Sequence, residues 1–229
     1  MKRAIIQGDV VEVCNRIPEK SFDAVLCDPP YELGFMGKSW DSAGVSFNPK
    51  TWAAILRCCK PGAHLLAFGG SRTMHRITCA IEDGGWQIRD SLIWLYGSGF
   101  PKSLNLGNGY GTALKPAHEP IVLARAPLDG TVAANVAKYG CGALAIDACR
   151  IGWTGPDDAA AAAAAASFAS SRANGTVRQS LSIGKESRDG SNTYDPNALK
   201  GRWPANVLLD EEAAKALDEP SGIRKSGIA

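Results

Sequence analysis

Asp28-Pro29-Pro30-Tyr31 is the part of the sequence whose residue types could carry out a reaction. The amino group on an aromatic base ring is a poor nucleophile, because its lone pair is delocalised into the ring. A carboxylate and a carbonyl that each accept one of its N–H hydrogens draw the nitrogen toward tetrahedral geometry and free that lone pair. Asp28 offers the carboxylate and Pro29 the carbonyl, which the fixed φ of Pro30 holds rigidly. The tetrapeptide therefore predicts activation of an amine.

Tyr31 and the position of the tetrapeptide support the same interpretation. The ring of Tyr31 offers a face on which a base turned out of a duplex could stack. The tetrapeptide follows an apolar run, Phe22 to Cys27, which is typical of a buried parallel strand. Open α/β sheets bind ligands at the carboxyl ends of such strands. The pattern alone also fits a stiff turn without a chemical role, and the flanking segments favour the chemical interpretation.

The elements that must position the tetrapeptide alternate between strand and helix through residue 125. This pattern predicts an α/β fold with a partial doubly wound, Rossmann-like sheet. Residues 1–126 are predicted to form the catalytic core. Residues 127–229, with short clusters of Gly, Ser, Asn, Asp and Pro and an alanine run at 159–166, are predicted to form an irregular target-recognition region. The strands are expected at 4–7, 22–27, 64–68, 86–96 and 121–124. The helices are expected at 10–17, at 49–59 and over a segment that Ser71 caps and that runs to Gly84-Gly85.

Composition argues against several other classes of protein. Hydrophobic residues make up 45% of the 229 residues, enough for a packed core, and the net charge of +2 neither indicates nor excludes nucleic-acid binding. The seven cysteines form no Cys-x-x-Cys pair and the three histidines are scattered, so we expect reduced thiols and no metal site. Residues 1–27 lack a signal-peptide pattern and no apolar run could span a membrane. We therefore predict a cytoplasmic protein.

The sequence resembles the N6-adenine and N4-cytosine DNA methyltransferase family, in particular phage-type members whose catalytic motif precedes the cofactor motif. The resemblance implies transfer of a methyl group from S-adenosylmethionine to the exocyclic amine of a base flipped out of double-stranded DNA. The Asp at the first position favours adenine N6, and cytosine N4 is the alternative. Besides the tetrapeptide, the segments that carry the resemblance are 8–9, 37–41, 60–62, 68–73, 97–102, 118–121, 142–147 and 201–206.

The resemblance also implies roles for individual residues. It makes Asp28, Pro29, Pro30 and Tyr31 catalytic, and it places Gly8, Asp9 and Asp28 at the cofactor. For Asp9, a helix cap is the alternative. The DNA-binding candidates are Trp40, Arg72, Lys102, Lys200 and Arg202. The alternative for Trp40 is a core or lid aromatic, and for the basic residues it is solvated surface.

The cofactor fingerprint of the family, a strand running into an aromatic-x-Gly-x-Gly turn, is not found in the sequence. Too few residues precede Asp28 to contain it, and the Gly-rich segments 97–99 and 107–111 lack its context. We therefore expect residues 1–229 to be the catalytic and recognition portion of a longer enzyme, or to work with a second chain that carries the cofactor half. Two alternatives remain open: methylation of RNA or of a glutamine amide, and an inactive half methyltransferase that binds DNA or a partner.

Overall fold

The computed structural model describes residues 3–34, 37–99, 103–152, 201 and 203–221. The chain forms two compact units, one of residues 1–144 and 206–222 and the other of residues 145–205 and 223–229. The first unit contains the sheet and its helices, and it continues past residue 126. A role in target recognition for residues 127–229 stays a prediction.

Helices and strands alternate along the first unit. The helices are α1 (Val10–Arg16), α2 (Pro49–Cys58), α3 (Met74–Asp83), α4 (Val132–Tyr139) and α5 (Glu211–Ser221). The strands are β1 (Phe22–Cys27), β2 (Cys59–Phe68), β3 (Gln87–Leu95), β4 (Asn105–Gly107), β5 (Tyr110–Gly111), β6 (His118–Arg125) and β7 (Val207–Leu209). Short 3-10 helices lie at Ser39–Asp41 in the first unit and at Ile146–Cys149 in the second.

The main sheet has the strand order β1-β2-β6-β3-β7. Pairs β1–β2 and β3–β7 are parallel, whereas β6 runs antiparallel to both of its neighbours. The predicted α/β architecture with parallel strands is therefore confirmed. The sequence did not predict the insertion of the later strand β6 between β2 and β3.

One face of the sheet packs against helices to form the core. Alternate residues of β2 and β6 point to this face, because side chains of a strand alternate between its two sides. The buried side chains include Leu65, Ala67, Val122 and Ala124 from the strands and Trp52, Ile77 and Ile81 from α2 and α3. The indole nitrogens of Trp52 and Trp86 donate to the carbonyls of Ser46 and Trp52, at 2.9 and 3.0 Å, which satisfies the only polar atoms of these rings.

The opposite face of the sheet is apolar and more open. Leu26, Leu66 and Leu123 are neighbours on it by register, and Leu26 is 71% exposed. Trp94, on the same face, is 42% exposed and lies with its ring centroid 6.0 Å from that of Phe68. Strand β1 ends the sheet, and within the described part of the chain no strand pairs with its outer edge.

Three local predictions were wrong. Residues 22–27 form a parallel strand as predicted, but none of them is buried, because β1 ends the sheet. Residues 4–7 form no strand: Ile5 and Ile6 are exposed, and no described strand lies beside them to provide ladder hydrogen bonds. Ser71 does not cap the next helix, which begins at Met74 with Thr73 as its N-cap residue. The Thr73 hydroxyl donates to the Tyr31 carbonyl at 2.8 Å, so it is engaged in a tertiary contact and does not cap the helix.

Candidate functional site

The tetrapeptide follows the end of β1 and lies beside the end of β2 and the start of β6. In the parallel pair β1–β2, Cys27 is in register with Ala67, so Asp28 and Gly69 follow these strands at the same end of the sheet. Strand β6 runs the other way, with Ile121 in register with Phe68. The start of β6, including Glu119, therefore lies at this end of the sheet as well.

Tyr31 is held from several sides. Its hydroxyl donates to Oε2 of Glu119 at 3.1 Å, and its carbonyl accepts from the Thr73 hydroxyl at 2.8 Å. A Cβ atom built on Gly70 would lie 3.4 Å from Cδ2 of Tyr31, so the backbone of Gly70 passes directly beside the ring. These contacts fix the ring before any ligand is present.

The phenol of Tyr31 stays protonated in this environment. Burial is the largest cause that raises its pKa, followed by the charges of Glu119 and Asp28 and then by hydrogen bonding of the hydroxyl to one or the other of these acids. The hydroxyl of Tyr31 is therefore a hydrogen-bond donor placed between two acids.

Asp28 and Cys27 differ in what they can do. Asp28 is exposed, so its carboxylate is open to a ligand. The neighbouring Cys27 lies within β1, where burial and then the charge of Asp28 raise the pKa of its thiol to about 12. Because the thiolate is the nucleophilic form of cysteine, this thiol is not a nucleophile at neutral pH.

The loop that follows the tetrapeptide is built around Glu32. The carboxylate of Glu32 accepts from the backbone N–H of Gly44 at 2.8 Å and from the N–H and hydroxyl of Ser46 at 3.2 and 3.3 Å. Its own N–H donates to Oδ1 of Asp41 at 3.0 Å, and Asp41 is 3% exposed. Glu32 itself has the left-handed φ of 55°. The loop is therefore closed by its own hydrogen bonds.

Trp40 lies on the 3-10 helix of this loop and is 58% exposed. It is therefore not a core residue. The hydrogen bonds of Glu32 and Asp41 hold the described parts of the loop on either side of Trp40, and its indole is presented to solvent from there.

Asp9 caps α1, as the structural alternative predicted. Its Oδ1 accepts from the N–H groups of Val11 and Glu12 at 2.9 and 3.1 Å. Gly8 and Asp9 are both exposed. A contact of these two residues with a cofactor stays a prediction.

The basic residues predicted to bind DNA are only partly described. Arg72 is exposed in the turn between β2 and α3, two residues beyond Gly70. Lys102, Lys200 and Arg202 lie outside the described residues. Strands β4 and β5 form a hairpin that leaves the sheet where β3 ends and β6 begins, with Leu106 and Tyr110 exposed on it.

Sequence reasoning gave no role to Glu119, Thr73 or Glu32. Glu119 and Thr73 belong to segments that carry the family resemblance, and this was the available signal for them. Among the described residues, no group of His, Cys, Asp and Glu could hold a metal ion, and no helix is long and apolar enough to cross a membrane.

Residues 22–143, more than half of the chain, match the family model of N6/N4 DNA methylases. Among solved structures, TTHA0409 of Thermus thermophilus, assigned as a DNA modification methylase, is similar at 20% identity over 57% of this chain and 56% of its own, with a TM-score of 0.40. M1.HpyAVI is similar at 18% identity over 52% and 51%, with a TM-score of 0.35. The cytosine-N4-specific PvuII DNA methyltransferase is similar at 17% identity over 60% and 54%, with a TM-score of 0.41. The chain thus spans about half the length of each.

Proposed function

This chain belongs to the N6/N4 DNA methylase family, and on that premise we propose that it transfers the methyl group of S-adenosylmethionine to the exocyclic amine of a base turned out of duplex DNA. The observation that carries the proposal is the tetrapeptide at the carboxyl end of β1. Its Asp28 carboxylate is exposed, and the ring of Tyr31 is held by contacts at its hydroxyl, its carbonyl and one side.

The proposed chemistry follows from these groups. Asp28 and the Pro29 carbonyl each accept one N–H of the amine, while Tyr31 stacks on the base. The nitrogen lone pair attacks the methyl carbon, the bond from that carbon to the sulfonium sulfur breaks, and the sulfur keeps the electron pair as a neutral thioether. The positive charge moves to the nitrogen, which loses one proton to Asp28 and then to water, because Asp28 is exposed.

The proposed substrate is adenine, on the Asp at the first position of the tetrapeptide, with cytosine as the alternative. Both bases carry an exocyclic amine with two N–H hydrogens, so the same acceptors serve either. Chromatography and mass spectrometry of nucleosides from methylated DNA distinguish N6-methyladenine from N4-methylcytosine directly.

For DNA contacts we propose the exposed groups that follow the tetrapeptide and β2. Trp40 lies on the 3-10 helix Ser39–Asp41 beyond Tyr31, and Arg72 lies in the turn beyond Gly70. An indole can stack on a base, and a guanidinium can bind a phosphate. Lys102, Lys200 and Arg202 complete the proposed set.

The donor site needs more than the described residues supply. We propose that a second segment, from the same protein or from another chain, adds strands beside β1 and carries the turn that holds the methionine end of S-adenosylmethionine. Within the described ranges no strand pairs with the outer edge of β1, and Leu26 is 71% exposed. Both observations support this, because an exposed strand edge and an apolar sheet face favour a covering partner. The same observations favour a second candidate function, a half methyltransferase that binds DNA or a partner without turnover.

The test measures transfer of labelled methyl groups to mixed-sequence DNA, by the chain alone and by the chain joined to the donor-binding half of a family member. Asp28→Ala should reduce transfer by at least about a hundredfold, since positioned acceptors and orientation supply rate factors of this order. DNA affinity should change less than about twofold. Asp83→Ala, at an exposed acid at the end of α3, is the matched control. Near-normal turnover in Asp28→Ala would contradict the catalytic assignment, and no transfer by the joined protein would favour the second candidate.

A further inference from the structure

The Tyr31 hydroxyl can donate one hydrogen bond, and two carboxylates, those of Glu119 and Asp28, act on it. Glu119 accepts this hydrogen bond at 3.1 Å. Asp28, three residues before Tyr31, is the other acid that acts on this hydroxyl: the pKa of Tyr31 is raised first by burial, then by the charges of Glu119 and Asp28, and then by hydrogen bonding to Asp28 and to Glu119. A phenol donates one hydrogen bond at a time. The two acids therefore compete for it.

Glu119 is the preferred acceptor of this hydrogen bond. It is half-buried at the start of β6, the strand that lies beside β2. After burial, its charge also raises the pKa of Tyr96, whose backbone N–H donates to the carbonyl of Ala117, two residues before Glu119. Asp28 is more exposed and keeps access to water. A half-buried carboxylate loses more than an exposed one when it goes without a donor.

We infer that Glu119 is a positioning residue that accepts the hydrogen bond of the Tyr31 hydroxyl and thereby leaves the Asp28 carboxylate open for the amine of the target base. This inference rests on the proposed function. Without Glu119, the hydroxyl turns to Asp28, makes that carboxylate a weaker acceptor and competes with the amine for its lone pairs. The ring of Tyr31 also loses its anchor at the hydroxyl and keeps only the contacts at its backbone and along its side.

Carbon-13 NMR of the full chain, with tyrosine labelled at the ring carbon that bears the hydroxyl, reads this bond without turnover. Tyr31→Phe identifies the Tyr31 signal. With Glu119 present, Asp28→Asn should barely move that signal, because the Tyr31 hydroxyl donates its hydrogen bond to Glu119. In Glu119→Ala, the same Asp28→Asn change should move it at least about threefold more. Glu119→Gln keeps an acceptor oxygen and should restore the small response.

Tyr139 is the internal control, because its hydroxyl donates to Oδ2 of Asp129 at 2.8 Å, away from these residues. Its signal should stay fixed in every folded variant. A large shift of the Tyr31 signal in Asp28→Asn alone would show that Asp28 is the ground-state acceptor and would overturn the inference. That result decides the question even where Glu119→Ala fails to fold. Equal responses to Asp28→Asn with and without Glu119 would overturn it too.

The methyl-transfer assay is a separate test of the proposed function. A joined protein that transfers no methyl groups counts against that function, whatever the NMR signals show. In an active joined protein, Glu119→Ala should lower kcat with little change in KM for DNA, and Tyr31→Phe added to it should recover part of the loss. A double variant no faster than Glu119→Ala would refute the competition between the two acids.

Discussion

Replacing Glu32 removes the acid around which the loop after the catalytic turn is closed. Glu32→Ala takes away the acceptor for three donors, the N–H of Gly44 and the N–H and hydroxyl of Ser46. Ser46 is fully buried, so water does not replace the lost partner there. Gly44 is half-buried and regains part of its bond from solvent. The left-handed φ of 55° at residue 32 is retained, so no strain is relieved.

The magnitude follows from these contacts. A hydrogen bond to a charged group contributes about 1.5–3 kcal/mol, and a buried donor left without a partner costs about 1–3 kcal/mol. The bonds to Ser46 are long, so we take the low end of this range, about 1 kcal/mol for each of its two buried donors, and about 1 kcal/mol for half-buried Gly44, which gives a fall of about 3 kcal/mol in the free energy of unfolding. For a unit of this size, the melting temperature falls by roughly 2–4 °C per kcal/mol, which gives roughly 6–12 °C. Glu32→Gln keeps one acceptor oxygen and should lose about half as much.

Thermal unfolding followed by far-ultraviolet circular dichroism measures the loss. Glu82→Ala is the control, at an exposed position of α3, and should change stability by less than about 0.5 kcal/mol. Limited digestion with trypsin reads the loop itself, because exposed Lys38 lies within it. Cleavage after Lys38 should become faster in Glu32→Ala. A loss no larger than that of the control, with unchanged cleavage, would refute the role assigned to Glu32.

Three further predictions concern the ring, the core and the donor. Tyr31→Ala should weaken binding of the target base by about 1–3 kcal/mol, whereas Tyr31→Phe keeps the stacking face and should be mild; equal losses would point to the hydroxyl. Asn135 is fully buried; its side-chain NH2 donates to the carbonyls of Pro61 and Cys141, and its Oδ1 accepts from the N–H of Asp129. Asn135→Leu should therefore lower the free energy of unfolding, measured by urea denaturation, by about 2–4 kcal/mol. A smaller effect than that of Glu82→Ala would disprove this prediction. Calorimetric titration of the chain alone with S-adenosylmethionine should show weak or no binding, and tight binding would reveal a complete donor site within residues 1–229.

Local patterns determined the elements that carry the catalytic turn. The apolar run Phe22–Cys27 forms the parallel strand β1 with the tetrapeptide after it, as predicted, although its predicted burial was wrong. Helix α2 begins at Pro49, with the Asn48 side chain accepting from the Lys50 N–H, because the fixed φ of proline and an amide cap both suit a first helical turn. These choices depend on neighbours within a few residues, so the sequence alone determined them.

Only the tertiary structure decided which residues surround Tyr31. Glu119 lies 88 residues away along the chain, and it reaches the site because β6 inserts antiparallel between β2 and β3. Thr73 reaches the Tyr31 carbonyl from the turn after β2, and α3 begins directly after it, at Met74. Strand order and register are set by the packing of whole faces, since a shift of one residue turns every side chain to the other side. No local pattern contains that information.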